Sequence, residues 1–449
     1  MYAGLVVIPA VLGIVIAFIA AGSVSGSAAA VDEPAGQVPT LSRLLFAIAF
    51  VCMAGVAGSW LAKLLRQPQA VGQMIAGLAI GPSLLGRFAP EFSAWLFPAG
   101  TAQILALFGG VGAIFFIFLV GLDFSWPELR RSGLSTVLLG QATMAIPFLG
   151  GAILAVGLSR LGEAPAHDPM AFNLFIAVAM SVTALPVLAH ILRERGLDQS
   201  PLGAVGIAAA AICDATAWCV LAVTLAIAGS GSASGALIAM AGVGLFAVAM
   251  WFLARPAWAR LDSRAAPGSA TPLLALLGML VAALVTDSLG AHAIFGAFLA
   301  GLIFPRSASY RTINSKIEGV VEWFLLPMFF VSTGLQTKIG LLDSGHDVLI
   351  LLVVLGTAIA SKSLATALLA RLVGYGWRST AQLAAMMNCR GITELIVLNI
   401  GLHAGLLSQK LFTVLTVVTI ITTMITGPAL DLIGRSNGRD QADSGRTGP

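Results

Sequence analysis

The sequence predicts an all-α polytopic membrane protein, and three observations carry that expectation. Of its 449 residues, 58% are hydrophobic and only 10% are charged, with a mean hydropathy of +0.97, far from the balance of a soluble domain. Fourteen apolar runs approach or reach the length needed to cross a hydrocarbon core of roughly 30 Å. Lys and Arg alternate sharply between successive connections, as they do when one membrane face collects the positive charge.

The runs follow one another in order. The first, near residues 2–22, has no basic segment ahead of it, so it reads as a retained extra N-terminal helix rather than a cleaved signal peptide; a small, polar loop continues to residue 40. Runs near 41–62, 71–86, 102–121, 135–158, 170–190 and 203–229 come next, and a second set occupies 235–254, 272–286, 290–304, 320–336, 348–368, 380–402 and 411–430. The tail 435–449, RSNGRDQADSGRTGP, is small and polar and reads as a flexible cytoplasmic segment. Residues 41–434 thus form one membrane domain.

Connections after even-numbered runs hold 17 of the 24 Lys and Arg residues and those after odd-numbered runs hold five, while Lys362 and Arg390 lie inside runs. This places both termini on the cytoplasmic face of the cell membrane if the first run is retained. The net charge of +4 reflects that topology rather than a nucleic-acid surface. Cys52, Cys213, Cys219 and Cys389 all fall within runs without CxxC spacing, and the five histidines are scattered. Neither disulfide, metal cluster nor cofactor is expected.

Two pairs of runs rhyme. VGQMIAGLAIGP in the third and AHAIFGAFLAGLIFP in the tenth share an AGL core and a terminal Pro. IFFIFLVGLDF at 114–124 and MFFVSTGLQTK at 328–338 share an aromatic pair followed by GL. Members of each pair are seven runs apart, so they enter the membrane from opposite faces, which suggests an inverted repeat of about 71–229 against about 290–430. Within it the sixth run contains SVTALPVLAH, where Pro186 has no amide to donate, and the thirteenth contains MMNCRGITEL, with Asn388, Arg390 and Gly391 in its interior. Two discontinuous helices at matching places follow, because unwound backbone at membrane depth survives only inside protein or beside a wet cavity.

The intramembrane charges are the chemical candidates. A charge at the bilayer centre costs on the order of 2.5 to 3.5 kcal/mol on insertion scales. Arg390 and Glu394 are four apart on a helix and can neutralise each other. Asp214, in AAAAICDATAWC, has no such local partner. It either forms a structural salt bridge with Lys362 or works as a carboxylate that takes up a proton or a cation. Burial and a nearby ammonium act in opposite senses on a carboxyl group, so such a setting can bring it near working pH.

SVTALPVLAHIL, AAAAICDATAW, GAFLAGLIFP, LLPMFFVSTGLQT and MNCRGITELIVLNIGL, in that order, resemble the second branch of the monovalent cation:proton antiporters, which includes plant cation/proton exchangers and bacterial Kef-like systems. The likeness runs from about residue 41 to 430. It implies the inverted-repeat sodium/proton antiporter fold with two crossed discontinuous helices, 13 core helices plus the extra first one, and a homodimer. It also implies that Asp214 binds the ion and the proton, with Lys362 as its charge partner. Thr183 and Pro186 match the first broken helix, and Asn388, Arg390, Gly391 and Glu394 the second. Two positions depart from the pattern: Cys213 stands where relatives commonly carry Asn, Asp or Gln, and Gln336 where many carry Lys or Arg, with Lys338 nearby. A single acid rather than two adjacent ones points to electroneutral exchange.

The reading is a non-enzymatic secondary active antiporter that exchanges Na⁺ or K⁺ for protons, with Asp214, Cys213, Thr183 and Asn388 at the ion and no other metal. Two alternatives share the scaffold. An exporter of a larger organic ion or ionophore needs only a wider pocket; a K⁺ efflux channel-like system would usually carry a nucleotide-binding domain, for which 435–449 leaves no room. An intramembrane thiol enzyme built on Cys213 lacks a His placed as base.

Overall fold

The computed structural model describes residues 40–124, 133–164, 169–230, 233–263, 271–305 and 316–444. The expected first span lies outside the described residues, as do positions 445–449. The described chain is helical, and its helices follow the apolar runs: α1 Leu41–Leu64, α2 Gln69–Ile80, α3 Ala99–Asp123, α4 Gly133–Arg160, the pair α5 Pro169–Ser181 and α6 Leu185–Glu194, and α7 Pro201–Ser230. After these come α8 Ala233–Ala249, α9 Thr271–Ser288, α10 Ala293–Ile303, α11 Leu326–Gln336, α12 Gly345–Leu372, the pair α13 Trp377–Met387 and α14 Ile392–His403, and α15 Gln409–Ser444. Two of them carry a π-helical turn: α8 continues through one at Met250–Ala254, and α11 is preceded by one at Val321–Leu325. The last helix runs to Ser444, where a flexible segment from 435 was expected; no proline stands between Arg435 and Ser444 to stop it.

The rhyming motifs have a packing explanation. The Gly of AGL in α2, Gly77, lies against Gly334 of the TGL in α11, so that a Cβ on Gly334 would sit 2.8 Å from the Leu78 amide nitrogen. Symmetrically, the Gly of AGL in α10, Gly301, lies against Gly121 of the VGL in α3, and a Cβ on Gly121 would sit 3.1 Å from the Gly301 Cα. Each repeat's first helix therefore crosses the other repeat's second helix at backbone contact, which only a missing side chain permits. The helices then sort into two groups. One holds α1 to α3 with α9 to α11; the other holds α4 to α7 with α12 to α15, in which α4 and α12 pack together and flank the two broken helices.

At one end of the second group Lys410 on α15 bridges Glu163 beyond α4, at 2.5 Å, and Asp347 on α12, at 2.8 Å. Asp347 also completes a capping box with Ser344. The outer ends of three helices are thereby tied together by one ammonium.

Candidate ion site at the crossing of two broken helices

A helix broken inside a membrane exposes carbonyls at the end of its first half and amides at the start of its second. Each end also carries part of the helix dipole, negative and positive respectively. Between α5 and α6 the break is Val182–Thr183–Ala184; between α13 and α14 it spans Asn388–Gly391, with a bend of 42°. The two breaks touch. The Ala184 amide donates to the Cys389 carbonyl at 3.0 Å, and the Thr183 hydroxyl donates to the Met387 carbonyl at 3.2 Å. Gly391 permits the approach, since a Cβ there would lie 2.6 Å from Val187 Cγ2. Pro186 is not in the break but in the first turn of α6, where its missing amide costs nothing and reduces the number of donors left to satisfy.

The negative end of α5 is met by two cations. Arg390 donates to the Ala179 carbonyl at 2.9 Å and the Met180 carbonyl at 2.8 Å, and it also pairs with Glu394. Lys362, fully buried on α12, donates to the Ser181 carbonyl and the Thr183 hydroxyl. Cys213 joins this cluster: its Sγ lies 3.2 Å from the Ser181 carbonyl oxygen and 3.6 Å from Lys362 Nζ. Thus Thr183, Cys213 and Lys362 come together, while Lys362 makes no ion pair with Asp214.

The positive end of α6 is met by the acid. Asp214 is 2% exposed, and its Oδ2 accepts from the Leu185 amide at 3.2 Å. Among the described residues its Oδ1 has no hydrogen-bond partner. A buried carboxylate with one oxygen held and one open can take a proton or a cation on the open side. Glu394 occupies the equivalent place in the first turn of α14, but its Oε1 is engaged by Arg390 on the same helix break. Asn388 is turned elsewhere: its Nδ2 donates to Ser363 Oγ at 2.9 Å and to the Ala384 carbonyl at 2.8 Å, which commits both of its amide hydrogens away from Asp214.

Several participants were not singled out from sequence. The Ser181 carbonyl and the Leu185 amide are backbone groups, exposed only because the helix breaks between them. Thr423 on α15 donates to the Arg390 carbonyl at 2.9 Å. The run of threonines in this last span, Thr413, Thr416, Thr419, Thr422, Thr423 and Thr426, was the available signal for a polar helix face. Gln336 accepts on its backbone carbonyl from the Gln409 side chain, and the Lys338 amide donates to Thr413 at 3.2 Å. Both positions therefore stitch the loop after α11 to α15.

Paired half-helices crossing at their breaks, one from each of two rhyming halves of the chain, define an inverted-repeat transporter fold of the sodium/proton antiporter type. The sodium/hydrogen exchanger transmembrane family model matches residues 46–435, and the chain belongs to that family. It is 36% identical to the Na(+)/H(+) antiporter NhaS4 of Synechocystis sp., over 81% of this chain and 90% of that protein. It is 33% identical to Cation/H(+) antiporter 17 of Arabidopsis thaliana over 86% of this chain, and 31% identical to K(+)/H(+) antiporter 1 of Saccharomyces cerevisiae over 84%. The chain spans about half the length of these last two, 48% and 45%. The solved structure of the sodium proton antiporter MjNhaP1 from Methanocaldococcus jannaschii superposes with a TM-score of 0.64 at 18% identity, covering 87% of this chain and all of that one. At that identity the likeness concerns the fold.

Proposed function

We propose that the protein exchanges a monovalent cation, Na⁺ or K⁺, for protons across the cytoplasmic membrane, with Asp214 as the exchange site. The observation that carries this reading is the state of its carboxylate: buried, held through Oδ2 by the Leu185 amide, and open at Oδ1. A proton and a cation compete for that oxygen, and competition for one carboxylate suffices to couple their fluxes. Protonated and cation-loaded Asp214 are both neutral, so a cycle that moves only these two states transfers no net charge, which makes the exchange electroneutral. Lys362 releases Asp214 in the arrangement described above, where it holds the Ser181 carbonyl, and pairs with it in another. Thr183 positions Lys362, and Asn388 shapes the second break.

The same reading assigns the remaining organisation. Residues about 71–229 and 290–430 are the inverted repeats, the basic connections and the C-terminus face the cytoplasm, and two copies associate as a homodimer in the lipid bilayer. The supporting relatives include proteins named for Na⁺ and for K⁺, so the assay uses both. Proteoliposomes containing wild type or Asp214→Asn are given an outward proton gradient, and its collapse is followed after adding Na⁺ or K⁺. Wild type collapses the gradient with at least one of the two and the variant with neither. Undiminished exchange by the variant removes Asp214 from the mechanism.

A further inference from the structure

At the membrane rim where α1 and α6 end, Lys63, Arg66 and Arg195 line a cavity of about 710 Å³ together with Gln67, Glu194 and Asp431. That volume lies in the range of small-molecule sites. Of the two acids, Asp431 pairs with Arg195 at 3.0 Å, while Glu194 lies 3.1 Å from the His190 imidazole without a hydrogen bond to it. Arg195 lies flat on α15 beside Gly427, where a Cβ would come within 2.9 Å of its Cζ. Among the described residues the Lys63 ammonium and the Arg66 guanidinium have no partner. The cavity therefore carries a net positive charge, with Lys63 and Arg66 unpaired beside an Arg195 that is fixed in place.

Arg66 is held there against its backbone preference. Its φ is +55°, the left-handed region. The Arg66 amide donates to the Lys63 carbonyl at 3.1 Å and the Gln67 amide to the Ala62 carbonyl at 2.8 Å, the bond pair of a Schellman helix end, whose left-handed position favours glycine. The same pair of bonds ends five other helices of this chain, at Gly162, Gly196, Gly290, Gly374 and Gly405, each with positive φ. Among these six ends only position 66 has a long cation in place of the glycine, and that residue lines the charged cavity. Backbone strain retained at one of six like sites makes its side chain a candidate for function.

We propose that Lys63, Arg66 and Arg195 form a binding site for a phosphate-bearing anion, supplied by an anionic lipid headgroup or by a free phosphate. Guanidinium and ammonium groups of this arrangement recognise phosphate oxygens by charge-assisted hydrogen bonds. The occupant bridges the end of α1 in one helix group to the end of α6 in the other. The far end of α6 supplies the Leu185 amide to Asp214, so an occupied site holds the half-helix on which the acid rests. The binding itself does not depend on Asp214 being the exchange site.

The test is thermal unfolding of the full chain in neutral detergent, titrated separately with dioctanoyl phosphatidylglycerol and with inorganic phosphate. Wild type shows a saturable rise in unfolding temperature. A response to phosphatidylglycerol alone assigns a lipid headgroup, and a response to both assigns a small-anion site. Lys63→Gln with Arg66→Gln binds about thirtyfold more weakly. Arg66→Gly keeps the favoured backbone and removes the guanidinium, so it unfolds at or above the wild-type temperature without ligand and binds the anion more weakly. Arg87→Gln with Arg160→Gln removes two positive charges elsewhere and leaves binding at the wild-type value. Absence of a saturable rise with either probe, or wild-type affinity in Arg66→Gly and the Lys63, Arg66 double variant, overturns the proposal.

Discussion

Replacing Arg390 with Met tests the electrostatic construction of the crossing. Arg390 is 1% exposed and its partner Glu394 is fully buried. Removing the guanidinium leaves Glu394 as an uncompensated buried charge, at about 3–5 kcal/mol. It also strips the Ala179 and Met180 carbonyls of their donors, at about 1–3 kcal/mol each. The sum, roughly 5–11 kcal/mol, is comparable to the whole stability of a typical domain, so little folded protein is expected. Arg390→Met with Glu394→Met removes both charges and leaves only the two carbonyls orphaned, so it recovers about 3–5 kcal/mol. Glu394→Gln, which keeps an acceptor for Arg390, falls between wild type and Arg390→Met. Unfolding free energies from SDS titration in mixed micelles, together with the yield of folded protein, give this order. If Arg390→Met alone is as stable as the double variant, the pair is not the element that closes the end of α5.

Three further outcomes are expected. Gly301→Val forces a side chain into the backbone of α3 and lowers stability by about 1–3 kcal/mol or more, whereas Gly157→Val, with nothing within 4 Å of its Cβ, leaves the unfolding curve near wild type. Lys410→Met leaves the neighbouring Glu163 and Asp347 carboxylates unneutralised and lowers the unfolding temperature at pH 7. Cys213→Asp places a second carboxylate beside Lys362 Nζ, now 3.6 Å from the thiol. It adds a titrating group to the cycle, so exchange becomes sensitive to a valinomycin-clamped membrane potential, while Cys213→Ser leaves exchange insensitive to it.

The legible and illegible parts of this molecule divide along a physical line. Helix placement was readable because a membrane span needs an apolar run of near-fixed length, and the two breaks were readable because Pro186 and the Asn388–Gly391 stretch are costly in a buried regular helix. The Arg390–Glu394 pair followed from four-residue spacing alone. The rhyme of AGL with GL announced a repeat, but that the two motifs lie against each other across repeats required the structure. Side-chain direction at the crossing was the least legible feature. Lys362 invites pairing with the nearest acid, yet it holds the Ser181 carbonyl, because the break in α5 creates a dipole end that exists only in the folded chain. Asn388 likewise spends its amide on Ser363, a residue in another helix that no local pattern connects to it. Arg66 shows the complementary case: its left-handed backbone contradicts residue preference and could not be read from composition.

The central claim, that one carboxylate serves proton and cation in turn, is tested most directly by counting protons released on cation binding. Purified protein in weakly buffered detergent is titrated with Na⁺ and with K⁺ over a series of pH values, and proton release is read with a pH dye alongside the heat of binding. The account predicts a single binding event with the transported ion that releases close to one proton per cation at acidic pH, falls towards none as pH rises past the group's titration, and disappears in Asp214→Asn. Cation binding that releases no proton at any pH, or that persists with full release in Asp214→Asn, would contradict it.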